Sequence, residues 1–240
     1  MTQTTTQADL IALAERLRSD TDNGCSVVLD GSMNSEVWAN DPSEVRVLVV
    51  IDDPSPTSLA RLTPAISEWQ AQGHLPPLVI GRTEWGRAAD SFPIEITDMQ
   101  VDHLVLAGED PVAGIEVNRE ELRRALEVAF REKVIRLRQA YIRFAETEPV
   151  LGGFVKACSS GLLVLLRAMA VLWGRPPGTT PEATLAALAE LLGEDEAILR
   201  RAVARRLEPD RPCTREEFAA YMGAIERLAD RIDALTLGVS

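Results

Sequence analysis

Apolar residues change period along the chain, and the changes mark its elements. Over Ala8–Arg18, Leu10, Leu13, Ala14 and Leu17 fall on one helical face, which predicts a helix. Cys25–Leu29 and Val45–Ile51 are β-branched apolar runs bounded by Asp, Asn, Gly and Pro, the pattern of buried strands. A helix is predicted over Thr57–Gln72, after the breaker Asp53-Pro54-Ser55-Pro56, and a short one over Thr83–Ala89. Pro77–Ile80, Ile94–Thr97 and His103–Leu106 read as further short strands.

Beyond Asn118 every period is helical. Leu122, Leu126, Phe130, Val134, Leu137, Tyr141 and Phe144 recur three or four residues apart, as one long amphipathic helix requires. Phe154–Trp173 is apolar on nearly all sides and reads as the central helix of a bundle, with further helices over 181–192, 195–206 and 215–236. Asn118 with Glu121, Thr179 with Glu182 and Thr214 with Glu217 are candidate caps. The pattern predicts an α+β fold: a mixed sheet with helices over residues 1–115, then an all-α helical bundle over 116–240.

Composition removes several classes of function. A net charge of −12 argues against nucleic acid as a partner, because phosphate backbones are held by clustered Lys and Arg. No membrane span is expected, since the longest apolar run, Gly161–Trp173, is short and broken by Arg167; the chain reads as cytoplasmic. Cys25, Cys158 and Cys213 are far apart and in no C-x-x-C pair, and only His74 and His103 are present. A disulfide framework and a zinc or catalytic-histidine centre are therefore not expected, and any metal here would be a hard cation held by carboxylates.

One segment carries candidate chemistry. Leu29-Asp30-Gly31-Ser32 is followed, ten residues later, by Ser43-Glu44-Val45-Arg46-Val47-Leu48-Val49-Val50. This order resembles the entry to the polymerase-beta-like nucleotidyltransferase superfamily. In that family a strand ends in Gly-Ser, a short helix follows, and the next strand carries two acids at alternating positions. The helical half is similar to the bundle that follows this domain in kanamycin-nucleotidyltransferase-like bacterial proteins.

The resemblance implies that Gly31 and Ser32 line the triphosphate and that Glu44 is a magnesium ligand. A third carboxylate is expected on a neighbouring strand, where Ile94-Glu95-Ile96 supplies Glu95 and Asp98 is a second candidate. Arg46 stands where the second acid belongs, and it would repel a divalent ion about 4 Å away by roughly 8 kcal/mol at an effective dielectric of 20. On the same strand face as Glu44, it is expected to reach Glu95 and replace metal with an ion pair.

Two functions follow as expectations. In one, a nucleotidyltransferase-like protein with a degraded triad and no cofactor acts as a ligand- or protein-binding module, with a protein partner or a homo-oligomer formed through the helical domain. In the other, Glu44 and Glu95 hold Mg2+, Arg46 grips a phosphate of a nucleoside triphosphate, and the nucleoside monophosphate passes to a small molecule or a protein. Without the resemblance, Gly31-Ser32 is a turn, Glu44 and Arg46 an exposed ion pair, and Glu95 a solvent-facing strand position.

Overall fold

The computed structural model describes residues 6–22, 24–31, 45–208 and 211–236. The chain divides into two units: Met1–Phe92 with Asp102–Glu116, and Pro93–Val101 with Val117–Ser240.

In the first unit, helix α1 (Gln7–Asp20) is started by a capping box: Thr6 Oγ1 accepts from the Asp9 amide, and the Asp9 carboxylate accepts from the Thr6 amide at 2.7 Å. Strands β1 (Cys25–Asp30) and β2 (Val47–Ile51) pair antiparallel, with Val27 opposite Val49 and Leu29 opposite Val47. Helix α2 (Pro56–Ala71), with Ser55 as its cap, carries the chain across to β3 (Leu78–Gly81), which runs parallel to β2. A short helix α3 (Arg82–Trp85) follows. Strand β4 (His103–Ala107) pairs antiparallel with β1, so the sheet order is β3-β2-β1-β4.

Side chains alternate across this sheet, and both faces of its central pair are buried. Cys25, Val27, Leu29, Val47, Val49 and Ile51 pack with Leu10, Leu13 and Leu17 of α1 and with Leu62, Ala65 and Trp69 of α2. Ser26, Val28, Leu48 and Val50 point the other way and are equally buried. Trp85 is buried too, its indole N–H donating to the Pro111 carbonyl at 2.8 Å.

The second unit is helical. It contains α4 (Pro93–Val101), α5 (Arg119–Phe144), α6 (Glu148–Leu172), α7 (Pro181–Leu192), α8 (Glu196–Ala204) and α9 (Arg215–Asp233). Asn118 caps α5, and Thr214 with Glu217 forms a complete capping box on α9. The cap of α7 is Thr180, whose hydroxyl accepts from the Ala183 amide, so the expected Thr179–Glu182 pair is displaced by one residue.

Helix α6 is long and apolar enough to cross a membrane by length and composition, yet most of it is buried against α4, α5, α7, α8 and α9. Its Leu162, Leu166 and Met169 share the core with Leu126, Phe130 and Leu137 of α5 and with Phe218, Ile225 and Leu228 of α9. The arginines of α5 form ion pairs along its outer surface: Arg123 with Glu120 and Glu127, Arg131 with Asp230, and Arg138 with Glu226.

The strand expected over Ile94–Thr97 is instead helix α4. Pro93 opens that helix, and Ile94, Ile96, Thr97, Asp98 and Met99 are buried along it, while Glu95 is exposed.

Two local features yield predictions. Gly108 has φ +81, and a Cβ there would stand 2.5 Å from the Cys25 carbonyl oxygen and 2.8 Å from the Ser26 Cα. Gly108→Ala is expected to lower stability in urea unfolding by about 1–3 kcal/mol, the cost of a strained backbone held by its surroundings.

His74 is buried, stacked on Trp69 with ring centroids 3.5 Å apart, and its Nδ1 lies 3.0 Å from the Trp69 carbonyl oxygen. Burial holds its pKa below the ordinary value, against the opposing pull of that carbonyl and of Asp9. The unfolded chain therefore binds the proton more readily than the folded one. The stability linked to this group is complete above about pH 6.5 and is lost as pH falls through that value towards the lower folded pKa. Urea midpoints measured between roughly pH 7.5 and roughly pH 5 are expected to fall less in His74→Gln than in the parent.

Candidate functional site

The register of β1 against β2 places Asp30 opposite Arg46, with the Asp30 amide donating to the Arg46 carbonyl at 3.0 Å. Both residues follow the alternation of Val28, Leu48 and Val50, so they lie on the sheet face away from α1 and α2. There the Arg46 guanidinium pairs with the Asp30 carboxylate at 2.9 Å; the acid side chain is 8% exposed and the arginine side chain 49%. The expected partner of Arg46 was Glu95; the pair found among the described residues is with Asp30. Asp30 escaped the sequence reading because it looked like the last residue of a strand before a turn. No signal in the sequence marks it, because its partner is set by the strand it faces.

Gly31 follows Asp30 with φ +94, a conformation that favours glycine, and its amide donates to the Asp102 carbonyl at 2.8 Å. That N–H is already bonded within the fold. Ser32 and Glu44, the other residues expected to hold phosphate and metal here, lie outside the described residues.

Glu95 is not on a strand beside β2. It is exposed on α4, in the second unit. The strands that do flank β2 offer little: β3 is Leu-Val-Ile-Gly without an acid, and the one acid of β1 is Asp30, already paired with Arg46.

Asp98, the second candidate, is buried in the helical unit. There Arg167 of α6 reaches its carboxylate at 3.3 Å and also donates to the Thr179 carbonyl.

Magnesium takes oxygen ligands in near-octahedral order. Among the described residues no group of three or more His, Cys, Asp or Glu stands together in a way that could hold a metal ion. The acid described on this part of the sheet is Asp30, paired with the Arg46 guanidinium, while Glu44 lies outside the described residues.

On the same sheet face Val50 opens onto a hollow of about 360 Å3, walled by Arg82 and Trp85 on one side and by Pro111, Gly114 and Ile115 on the other. Arg82 is held at its rim by Asp52 at 2.6 Å. An indole and a guanidinium beside apolar walls can receive a planar or anionic ligand group.

A mixed four-stranded sheet with helices, continuing into a helical part, is the α+β fold of nucleotidyltransferases. A solved structure with this fold is spectinomycin adenyltransferase AAD(9) from Enterococcus faecialis, determined with ATP and spectinomycin. The two chains superpose with a TM-score of 0.59 over 95% of this chain and 100% of that one, at 14% sequence identity. At that identity the likeness is one of fold. No protein-family model matches the sequence, and no curated protein matches it.

Two substitutions test the pairs described. Arg46→Ala is expected to cost about 0.5–1 kcal/mol in urea unfolding, because its half-exposed side chain makes a cross-strand pair of modest strength. Arg167→Leu, which takes the guanidinium away from the buried Asp98, is expected to cost about 3–5 kcal/mol, and Asp98→Leu with Arg167→Leu to recover most of that loss.

Proposed function

We propose that this chain is a nucleotidyltransferase-fold protein that has given up two-metal transfer and serves as a ligand-binding module. The observation that carries the reading is the Arg46–Asp30 ion pair, which sets a positive charge at the position where the fold's chemistry calls for a second carboxylate. Two-metal catalysis works by clamping the attacking and leaving oxygens between cations held by acids. A guanidinium already bonded to a neighbouring acid opposes that arrangement twice, by repelling the ion and by withholding a ligand.

The face that bears this pair also carries the hollow beside Trp85 and Arg82, which suits a ligand with an aromatic or anionic group. The fold neighbour was determined with ATP and a small molecule, which supports a nucleotide as the first ligand to try. In this reading Gly31 shapes the turn, Arg46 and Arg82 supply positive potential, and Glu95 has no part in chemistry.

The protein incubated with each of the four nucleoside triphosphates and magnesium is expected to release no pyrophosphate above the buffer rate. In calorimetric titration, nucleotide binding is expected to be no tighter with magnesium than with EDTA. Magnesium-dependent release of pyrophosphate that disappears in Glu44→Ala would overturn this and restore an active transferase.

A further inference from the structure

The chain carries two lysines, Lys133 and Lys156, and otherwise draws its positive side chains from arginine. Lys133 lies on α5 seven residues from Leu126 and seven from Ala140, so it continues the row of that helix that faces the core. Phe130 and Leu137, about one turn to either side, are fully buried. Lys133 is itself partly buried, yet among the described residues no hydrogen bond or ion pair engages its amine. A lysine at a core-facing position without an acid beside it serves neither packing nor charge pairing.

The nearest reactive group comes from the next helix. Helices α5 and α6 are joined by three residues and pack side by side, so they run antiparallel. Lys133 stands eleven residues before the end of α5 and Cys158 ten residues after the start of α6, which sets both at the same level of the hairpin. Cys158 is a free thiol, partly buried, and Val155 and Leu162, about one turn to either side of it, belong to the core.

The electrostatics of the amine agrees with this placement. Burial holds the Lys133 pKa below the ordinary lysine value, with the Cys158 thiol across the hairpin opposing and Arg136 of the same helix reinforcing. The Tyr221 phenol of α9 feels the same thiol, so three helices converge on Cys158. A larger share of the Lys133 amine is therefore neutral than in a solvated lysine, and the neutral amine is the form that attacks carbon.

We propose that Cys158 and Lys133 form an acyl relay, a covalent modification site for short acyl groups delivered as thioesters. In the first step the Cys158 thiolate attacks the carbonyl carbon of the donor. The donor's C–S bond breaks, its sulfur leaves as a thiol after taking a proton, and the acyl group is held on Cys158 as a new thioester. In the second step the Lys133 amine attacks that carbonyl carbon, the bond to Cys158 Sγ breaks, and a proton passes from nitrogen to sulfur. The products are an amide at Lys133 and a restored thiol, with no change of oxidation state. Holding amine and thioester on facing helices makes the second step intramolecular, which is the source of its rate. The apolar neighbours on both helices favour a short, uncharged acyl group.

The test incubates the folded protein with S-acetyl-N-acetylcysteamine and follows acetylation of Lys133 and Lys156 by peptide mass spectrometry. Lys156 is the internal reference, because two residues from Cys158 it points to another side of α6. Lys133 is expected to acetylate about fivefold or more faster than Lys156, and Cys158→Ser to remove that advantage. Lys133→Arg is expected to leave the acetyl group on Cys158 as a thioester that hydroxylamine releases. Acetic anhydride needs no relay, so its labelling of Lys133 is expected to be the same in Cys158→Ser as in the parent.

The proposal is overturned if Cys158→Ser acetylates Lys133 from the thioester as fast as the parent, or if Lys156 in the parent reacts as fast as Lys133. Loss of labelling by both reagents in Cys158→Ser and again in Cys158→Ala would overturn it as well, because the thiol would then support the fold and not carry the acyl group.

Discussion

The pairing of β1 with β2 in one register constrains nearly everything described in the first unit. Side chains on a strand alternate with period two, so a slip of one residue would carry Val27, Leu29, Val47 and Val49 out of the core they share with α1 and α2. Burial on both faces of this pair closes off that alternative. The same register sets Asp30 opposite Arg46, so their ion pair follows from apolar packing two residues away. The charges did not choose their partners freely; the strands brought them together.

The second unit depends on a similar economy around α6. A helix apolar on most sides is stable in water only when surrounded, and five neighbouring helices provide that cover. Its one buried cation, Arg167, is tolerable because Asp98 and the Thr179 carbonyl meet it. That pair draws α4 into the helical core, although the chain on either side of α4 belongs to the sheet unit. The contrast with α5 is instructive. Its Arg131 and Arg138 lie exposed, paired in water with acids of α9, where each pair contributes little.

Much of the fold could be read from residue pattern. The β-branched runs became β1 and β2, the long helical repeat became α5, and the all-round apolar stretch became the heart of α6. The misreading at Ile94-Glu95-Ile96 has a physical cause. Over four residues, alternation and helical spacing place apolar side chains at overlapping positions, and only the continuation to Asp98 separates them. Pro93, favoured in the first turn of a helix, was the local sign that pointed the other way. The candidate site was legible only in part, because Gly31 and Arg46 announce themselves in sequence while Asp30 acquires meaning only from the strand it faces.

Sequence by itself determined the features that depend on neighbours within a few residues. These are the alternation of the strands, the caps at Asn118 and Thr214, the left-handed turn at Gly31, and the presence of arginine where an acid was expected. Tertiary structure alone decided which groups meet, among them Arg46 with Asp30 and Arg167 with Asp98. The reason is physical. Periodicity and capping are energies of the local chain, whereas an ion pair or a cleft is formed by groups far apart in sequence, brought together by the packing of the core.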